Sequence, residues 1–424
     1  MSVSVARPCA WGSHYTVEED ELIKPRLNKT VAAVTTSALL LMAVPVVGIA
    51  STAGAAPKPT FVIGYEGPLS GGNQQLGLNM VYAVQLAINN ANATHRLPYV
   101  LKMAKFDDQG SSTLSPAQAQ AAVANKQLIA IVGPAFSGAT KAAEPYYRGA
   151  HVATVSPSAT AAGLVAGFRN NNFMRVVAGD DVQGAADAKF LVNKKGASSV
   201  YVINDASFYG AGLAAVFAKS AKADGAKVTA TTVPGTAQCQ DGTASPSEYP
   251  AVATSIVAAK PAAIFYGGYY CDFGLLLGAL NSAGYSGMIM SGDGSWSPSL
   301  ISGTSPASAA NNVYVSEAGG GNATLTGKLA SGYTKLAGFS AKNATYAAQS
   351  YDATNVILAA LAKVYQPRFK VKALRERIVL ALHRISFRGV TGHISFQSNG
   401  DLSAKSIVDF GQVQNGNIVS IGHS

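Results

Sequence analysis

Acidic residues are scarce in this chain: 22 Asp and Glu among 424 residues, against 32 Lys and Arg. Charged residues make up only 13%, about half the usual share of a soluble protein. With 48% hydrophobic positions, that deficit excludes an intrinsically disordered chain. Cysteine is rarer still, at 3 residues, and neither CxxC nor Cys2His2 spacing occurs, so the common zinc modules are excluded. Long apolar runs are missing except for one, which excludes a polytopic membrane protein. Glycine-rich phosphate loops of the GxGxxG or GxxxxGK(S/T) kind are absent, as are GxSxG and HExxH. The histidines His14, His95, His151, His383, His393 and His423 are scattered with no base–nucleophile spacing. Those absences weigh against an enzyme, and no cofactor or metal is expected.

The single apolar run spans 31–50, behind Lys24, Arg26 and Lys29 and ahead of Ala53-Gly54-Ala55. A basic segment, an apolar segment and a small-residue cleavage site make a secretory signal peptide, so residues 1–55 are set apart as extension and leader. No Cys follows the apolar run, so a lipid-modified cysteine anchor is not expected. Export suits a disulfide, and Cys239 and Cys271 lie in one region of the chain while Cys9 stands alone. The two join in one disulfide, or stay as two separate buried thiols.

From Phe61 onward, short β-branched runs alternate with longer Ala-rich helical stretches, the pattern of parallel sheets covered by helices. The spacing predicts strands at 61–65, 99–106, 129–132, 152–155, 173–176, 199–204, 227–233, 262–266, 288–291 and 312–315. Helices are expected between them, among them 75–91, 138–148, 209–224 and 346–364. That many βα units exceeds what one sheet usually holds, and a break at Gly179-Asp180-Asp181 suggests two lobes. Basic residues cluster once, from Lys363 through Arg368, Lys370, Lys372, Arg375, Arg377 and Arg384 to Arg388, with Glu376 as the one acid. They read as a solvated helix face or as a docking patch for an acidic partner. Nucleic-acid binding would need a basic stripe with interleaved aromatics, and nucleic acid is not expected as a partner.

Loops at the predicted strand ends carry small hydroxyl residues, phenols and isolated acids. The strand 129–132 runs through Gly133-Pro134-Ala135-Phe136 into Ser137 and a helix, and unpaired N–H groups at a helix N-terminus suit a carboxylate. Ser156-Pro157-Ser158-Ala159-Thr160, Tyr266-Gly267-Gly268-Tyr269-Tyr270 and Ser291-Gly292-Asp293-Gly294 follow at later strand ends. Such loops lie where open α/β sheets bind ligands. Together they offer donors for a carboxylate and acids for an ammonium, the two ends of a zwitterion.

These segments stand in a recognisable order: Ile63-Gly64-Tyr65-Glu66-Gly67-Pro68-Leu69-Ser70-Gly71, Phe106-Asp107-Asp108, Val132-Gly133-Pro134, the loop at Ser156–Thr160, Gly179-Asp180-Asp181-Val182-Gln183-Gly184, Tyr209-Gly210-Ala211-Gly212, the loops at Tyr266–Tyr270 and Ser291–Gly294, and Tyr351-Asp352-Ala353. In that order and spacing the chain resembles the periplasmic leucine/isoleucine/valine-binding proteins, the type I solute-binding proteins of ABC importers. The resemblance implies an α/β fold of two Rossmann-like lobes with parallel sheets, joined by a three-segment hinge. The crossings would fall near 179–180, 315–317 and 391–393. The N-lobe would be 56–179 plus 317–391 and the C-lobe 180–316 plus 392–424. Ser137 matches the family position that binds the α-carboxylate, and Ser158 and Thr160 match loop contacts to the head group. Asp180, Tyr209, Tyr269 and Asp293 match positions that close over it from the other lobe, with Asp293 standing for a family Glu. Leu76 stands where the family has an aromatic pocket wall. The family's disulfide, near Asp108 and Phe136, is missing here. The implied protein is an exported monomer, in the periplasm or at the cell surface, that hands an aliphatic amino acid to a membrane permease with its ATPase subunits. An amide- or urea-binding protein, or a ligand sensor of the same fold, is the alternative.

Overall fold

The computed structural model describes residues 57–166, 171–239, 242–319, 324–404 and 406–424. The leader and its Ala53-x-Ala55 site, Cys9 and His14 lie outside these residues, as do Gly320 and Gly321 of the late glycine run. Two sheets carry the fold. The first holds β1 (Thr60–Gly67), β2 (Val100–Asp107), β3 (Leu128–Val132), β4 (Ala153–Ser156) and β5 (Phe173–Arg175) in the order β2-β1-β3-β4-β5. All its pairings are parallel. The second begins with β6 (Ser199–Asn204), β7 (Lys227–Thr232), β8 (Ala263–Gly267), β9 (Met288–Ser291) and β10 (Tyr314–Glu317). A short hairpin, β11 (Phe387–Arg388) and β12 (His393–Ile394), stands apart, and β13 (Asp409–Gln414) and β14 (Asn417–His423) complete the second sheet. Its order is β14-β13-β10-β9-β8-β6-β7, with β13 and β14 antiparallel. Residues 57–424 form a single compact unit.

The sequence pattern follows from helices on both faces of each sheet. β3 and β8 are buried at every residue, so they read as unbroken apolar runs rather than alternating ones. Helices start where side chains replace missing backbone acceptors: Ser207 accepts from Gly210 N–H at the head of the helix Phe208–Ala223, and Ser245 with Glu248 forms a reciprocal box. On β1, the buried Glu66 carboxylate accepts from Ser115 Oγ at 2.5 Å and from the Tyr147 phenol. Burial pushes that carboxyl up to about 7. Through Tyr147 this bond fixes the helix Ser137–Gly149 against the first sheet, and so fixes where its N-terminus points.

The chain leaves the first sheet after Arg175 and returns toward it after Glu317. The stretch around the expected third passage, 391–393, is held by side-chain bonds. Asp352 accepts from Val390 N–H (3.0 Å) and from Thr391 N–H and Oγ1 (both 2.7 Å), which holds the β11–β12 turn on the helix Ala347–Val364. Beyond it, Gly400 O accepts from Arg175 N–H at 3.1 Å, and Asp401 pairs with Arg175 Nε at 2.6 Å. Asp352 and Arg175 thus hold this stretch at Val390, Thr391, Gly400 and Asp401 before it reaches β13.

One member of the basic cluster is also misplaced by a solvated-face reading. Arg375 is buried on the helix Val371–Leu382, donating to Leu128 O at 2.8 Å and to Asn125 O at 3.1 Å. It ties this helix to the turn before β3. Charged donors to buried carbonyls contribute about 1.5–3 kcal/mol each, so Arg375→Met should lower the unfolding free energy by about 2–3 kcal/mol in a denaturant titration. An unchanged midpoint would remove that role.

Candidate functional site

At the carboxyl ends of the strands, loops from both lobes converge on one cavity. Gly133, at the turn after β3, has a φ of +113°, and a Cβ there would stand 2.4 Å from Glu66 O. Only glycine lets the chain bend there into the helix at Ser137. Leu76, Ser137 and Ser158 line the cavity from the first lobe, and Tyr209, Tyr269 and Asp293 from the second. These six stand together around it. Its free volume is about 10 Å³, room for about one water. Phe136 and Tyr269 stack across it with ring centroids 4.2 Å apart.

Asp293 is the polar centre. It is buried, its Oδ1 accepts from Tyr209 OH at 2.6 Å, and its Oδ2 accepts from Tyr346 OH at 2.7 Å. Burial raises its carboxyl, and the two phenols pull it back down. Tyr209 OH also accepts from Gly294 N–H at 3.0 Å, so one phenol sets both the acid and the loop that carries it. On the opposite wall, Ser137 Oγ accepts from Ala161 N–H at 3.2 Å, and Ser158 Oγ donates to Ala135 O at 2.7 Å. The first N–H groups of the helix Ser137–Gly149 have no intrahelical acceptor.

Thr160 and Asp180 are placed otherwise. They are fully buried beside the cavity, outside its lining, with Asp180 N–H donating to Thr160 O at 2.9 Å. Burial and the Asp293 charge push the Asp180 carboxyl up to about 8, against the Thr160 hydroxyl and Arg175. Arg175, also buried, donates to Thr160 O and Ala161 O and pairs with Asp401. Further acids crowd this side. Asp187 is raised by burial despite its bond from Ser316, and Glu317 is pushed up to about 8 by burial and by Asp409 and Asp293.

Three lining residues escape the sequence reading: Met80, Phe136 and Tyr346. Phe136 sits one residue before Ser137, and Met80 lies one helical turn beyond Leu76, so adjacency and an i, i+4 spacing were the available signals. Tyr346 has none. It sits in the left-handed region (φ +64°) just before the helix Ala347–Val364, and that turn aims its phenol at Asp293.

A second set of contacts joins the lobes at the rim. Cys239 and Cys271 form a disulfide with Cα atoms 5.6 Å apart. Asn73, buried at the head of the helix Gln74–Ala93, donates from Nδ2 to Cys239 O at 2.8 Å and accepts at Oδ1 from Cys271 N–H at 3.3 Å. Gln75 N–H adds a bond to Tyr270 OH at 3.3 Å. Among the described residues no group of His, Cys, Asp and Glu is placed to hold a metal ion, and no helix is long and apolar enough to cross a membrane.

The profile of the periplasmic binding protein family matches residues 60–417. A leucine-, isoleucine-, valine-, threonine- and alanine-binding protein of Pseudomonas aeruginosa is 25% identical over 379 residues, covering 86% of this chain and 92% of that protein. Among solved structures, a leucine binding protein, LivK, of Thermotoga maritima is similar at 25% identity and a TM-score of 0.70, over 86% of this chain and 98% of that one. The isoleucine complex of a branched-chain amino acid transporter substrate-binding protein of Streptococcus pneumoniae shares the fold at 22% identity and a TM-score of 0.70, over 85% and 99% of the two chains. A profile match running almost the length of the described chain, two parallel-sheet lobes and one cleft between them lead to a single assignment: this chain belongs to the periplasmic binding protein family.

Proposed function

We propose that this protein is the exported substrate-binding component of an ABC importer, capturing an aliphatic, branched-chain-type amino acid between its lobes. In this reading the ligand's carboxylate lies against the helix N-terminus at Ser137, whose O–H is left to donate, with Ser158 and Thr160 shaping the loop beside it. Its ammonium meets Asp293, seated by Tyr209 and backed by Asp180, while Tyr269 closes over the head group. Leu76, Met80 and Phe136 give the side chain an apolar wall. The observation that carries the reading is that Ser137 and Asp293 line one cavity from opposite lobes, giving the two ends of a zwitterion complementary partners.

A cavity of about 10 Å³ admits no amino acid unless the lobes separate, so capture proceeds through hinge opening and closure, of which periplasmic binding proteins are a standard example. Ligand favours the closed form by the contacts it makes to both lobes at once. The closed monomer then docks on a membrane permease served by ATPase subunits. The relatives named above are amino-acid-binding proteins, which supports binding without turnover.

Calorimetry with the twenty amino acids, urea and short amides tests this. The expected result is tight, stoichiometric binding of at least one aliphatic L-amino acid, recovered unchanged afterwards. Discrimination between neighbours in the series should be about 1–3 kcal/mol per methylene. Preference for a neutral amide over every amino acid would overturn the ligand class and favour the amide-binding alternative.

A further inference from the structure

Charge in this protein is sorted by depth. Among the described residues the exposed acids are Asp181, Asp224, Glu248 and Glu376 alone, while the others are buried or half-buried. The basic side chains do the reverse: Arg175 and Arg375 are buried, and every other described Lys and Arg is exposed. The outer surface is thus far more cationic than the formal net charge of +10 conveys. Most of the described acids that enter that formal sum stand inside, and burial raises the carboxyls of several of them, Asp180 and Glu317 to about 8.

The cations are densest on one face of the first lobe. Lys370 and Lys372 open the helix Val371–Leu382, Arg377 lies midway along it, and Arg384 follows its end; Arg368 and Arg388 flank it, and all six are exposed. Glu376 is the one exposed acid there, and none of the six forms an ion pair with a described residue. Phe369 props two of them, with Arg377 over its ring at 4.1 Å and Arg368 at 5.4 Å. In the middle stands Leu380, 56% exposed and the most exposed large hydrophobic of the described chain. It falls three residues after Arg377, which makes the two neighbours on the helix surface. Val390, 43% exposed, lies two residues beyond Arg388.

We propose that this face docks on an anionic phospholipid surface. A solvated helix face does not need its largest aliphatic side chain in water, and a nucleic-acid site would present aromatic platforms for stacking, whereas Phe369 is covered by guanidinium groups and Tyr365 and Phe387 pack against the core. Cations surrounding a protruding leucine match phosphate headgroups with hydrocarbon beneath them. The attraction is weak per residue and reversible, so it concentrates the protein at the membrane without anchoring it. The inference is independent of which ligand the cleft takes, so its failure and that of the proposed function are separable.

The test is vesicle co-sedimentation of residues 57–424, the compact unit that holds both sheets and the whole core. Vesicles of phosphatidylcholine with about 30% phosphatidylglycerol are compared with phosphatidylcholine alone, at low and physiological salt. The protein should partition onto the anionic vesicles only, and less so as salt rises. Each basic residue at such a surface is worth about fivefold, so Arg377→Gln, Arg384→Gln and Arg388→Gln together should cost about a hundredfold. Leu380→Ser should weaken binding further. Lys219→Gln, Lys222→Gln and Lys227→Gln on the second lobe, an equal charge change, should leave it within about threefold. Unchanged circular dichroism of each variant shows that it is folded. Equal losses for the two triple variants, binding to neutral vesicles, or no binding to either would overturn the proposal. So would retention on immobilised polyglutamate at the same strength and without regard to Leu380, which would make an acidic protein the occupant.

Discussion

Asp293→Ala should lower the affinity of the cleft for its amino acid by at least about a hundredfold, measured by calorimetry. Truncating one partner of a buried, hydrogen-bonded charge pair costs about 2–5 kcal/mol, and under the proposed function Asp293 is such a partner for the ligand's ammonium. It is buried, it lines the cavity, and both its oxygens are set by phenols at 2.6 and 2.7 Å. Its removal also leaves Tyr209 OH and Tyr346 OH without their acceptor, so the loss includes two stranded donors as well as the ammonium contact. Asp180 does not take its place, because it stands outside the lining, and burial holds its carboxyl at about 8, largely neutral at pH 7. Tyr346→Phe supplies the graded control. It keeps the ring and removes one hydrogen bond, a change of about 0.5–1.5 kcal/mol, so affinity should fall by about two- to tenfold. If Asp293→Ala binds every amino acid as the parent does, the assignment of the ammonium site is wrong, whatever the fold.

How far the sequence anticipates this structure depends on where each signal resides. Strands buried on both faces by covering helices are legible because the burial is written into consecutive residues, as in β3 and β8. β13 and β14 are not, since β14 is largely exposed, β13 is broken by Gly and two Gln, and β14 by Asn, Ser and Gly. The helix Val371–Leu382 is obscured by its charges, although Leu374, Ile378 and Leu382 at fourfold spacing form the stripe it buries. Arg375 shows the same limit from the other side: nothing local says that one arginine of the cluster's five turns inward to cap carbonyls brought to it from another part of the chain. In the site, Ser137, Ser158 and Asp293 are legible because they stand at strand ends, where topology dictates a crevice. Tyr346 reaches Asp293 only through a left-handed turn and the packing of a late helix, which no spacing reports. The bonds that hold the stretch around 391–401 come from Asp352 and Arg175, both distant in sequence, and no local signal reports them.

Asn73→Ala should speed ligand release by about tenfold or more, leaving the association rate nearly unchanged. The reason lies in how the rim closes. Asn73 belongs to the first lobe, and its two bonding partners, Cys239 O and Cys271 N–H, belong to the second. One planar amide reaches both only because the disulfide holds the two backbones side by side. The approach is close: a Cβ on Gly72 would come within 2.8 Å of Cys271 Sγ, so the neighbouring loop is shaped around the half-cystines. These bonds exist only when the lobes meet, so they stabilise the closed form and are absent from the open one. Two neutral hydrogen bonds contribute about 1–3 kcal/mol together, a closed-to-open shift of about five- to a hundredfold. Because it acts on a state formed after encounter, the change appears in the off-rate. Cys239→Ser with Cys271→Ser should act in the same direction, by freeing one backbone from the other. Stopped-flow release of a bound amino acid from the parent, the Asn73 variant, the cysteine variant and their combination separates the possibilities. If the amide and the disulfide act as one clasp, the combined variant loses little beyond the worse of the two. Fully additive losses would mean that the disulfide acts elsewhere, and an unchanged off-rate in Asn73→Ala would mean that the rim contacts do not hold the cleft shut.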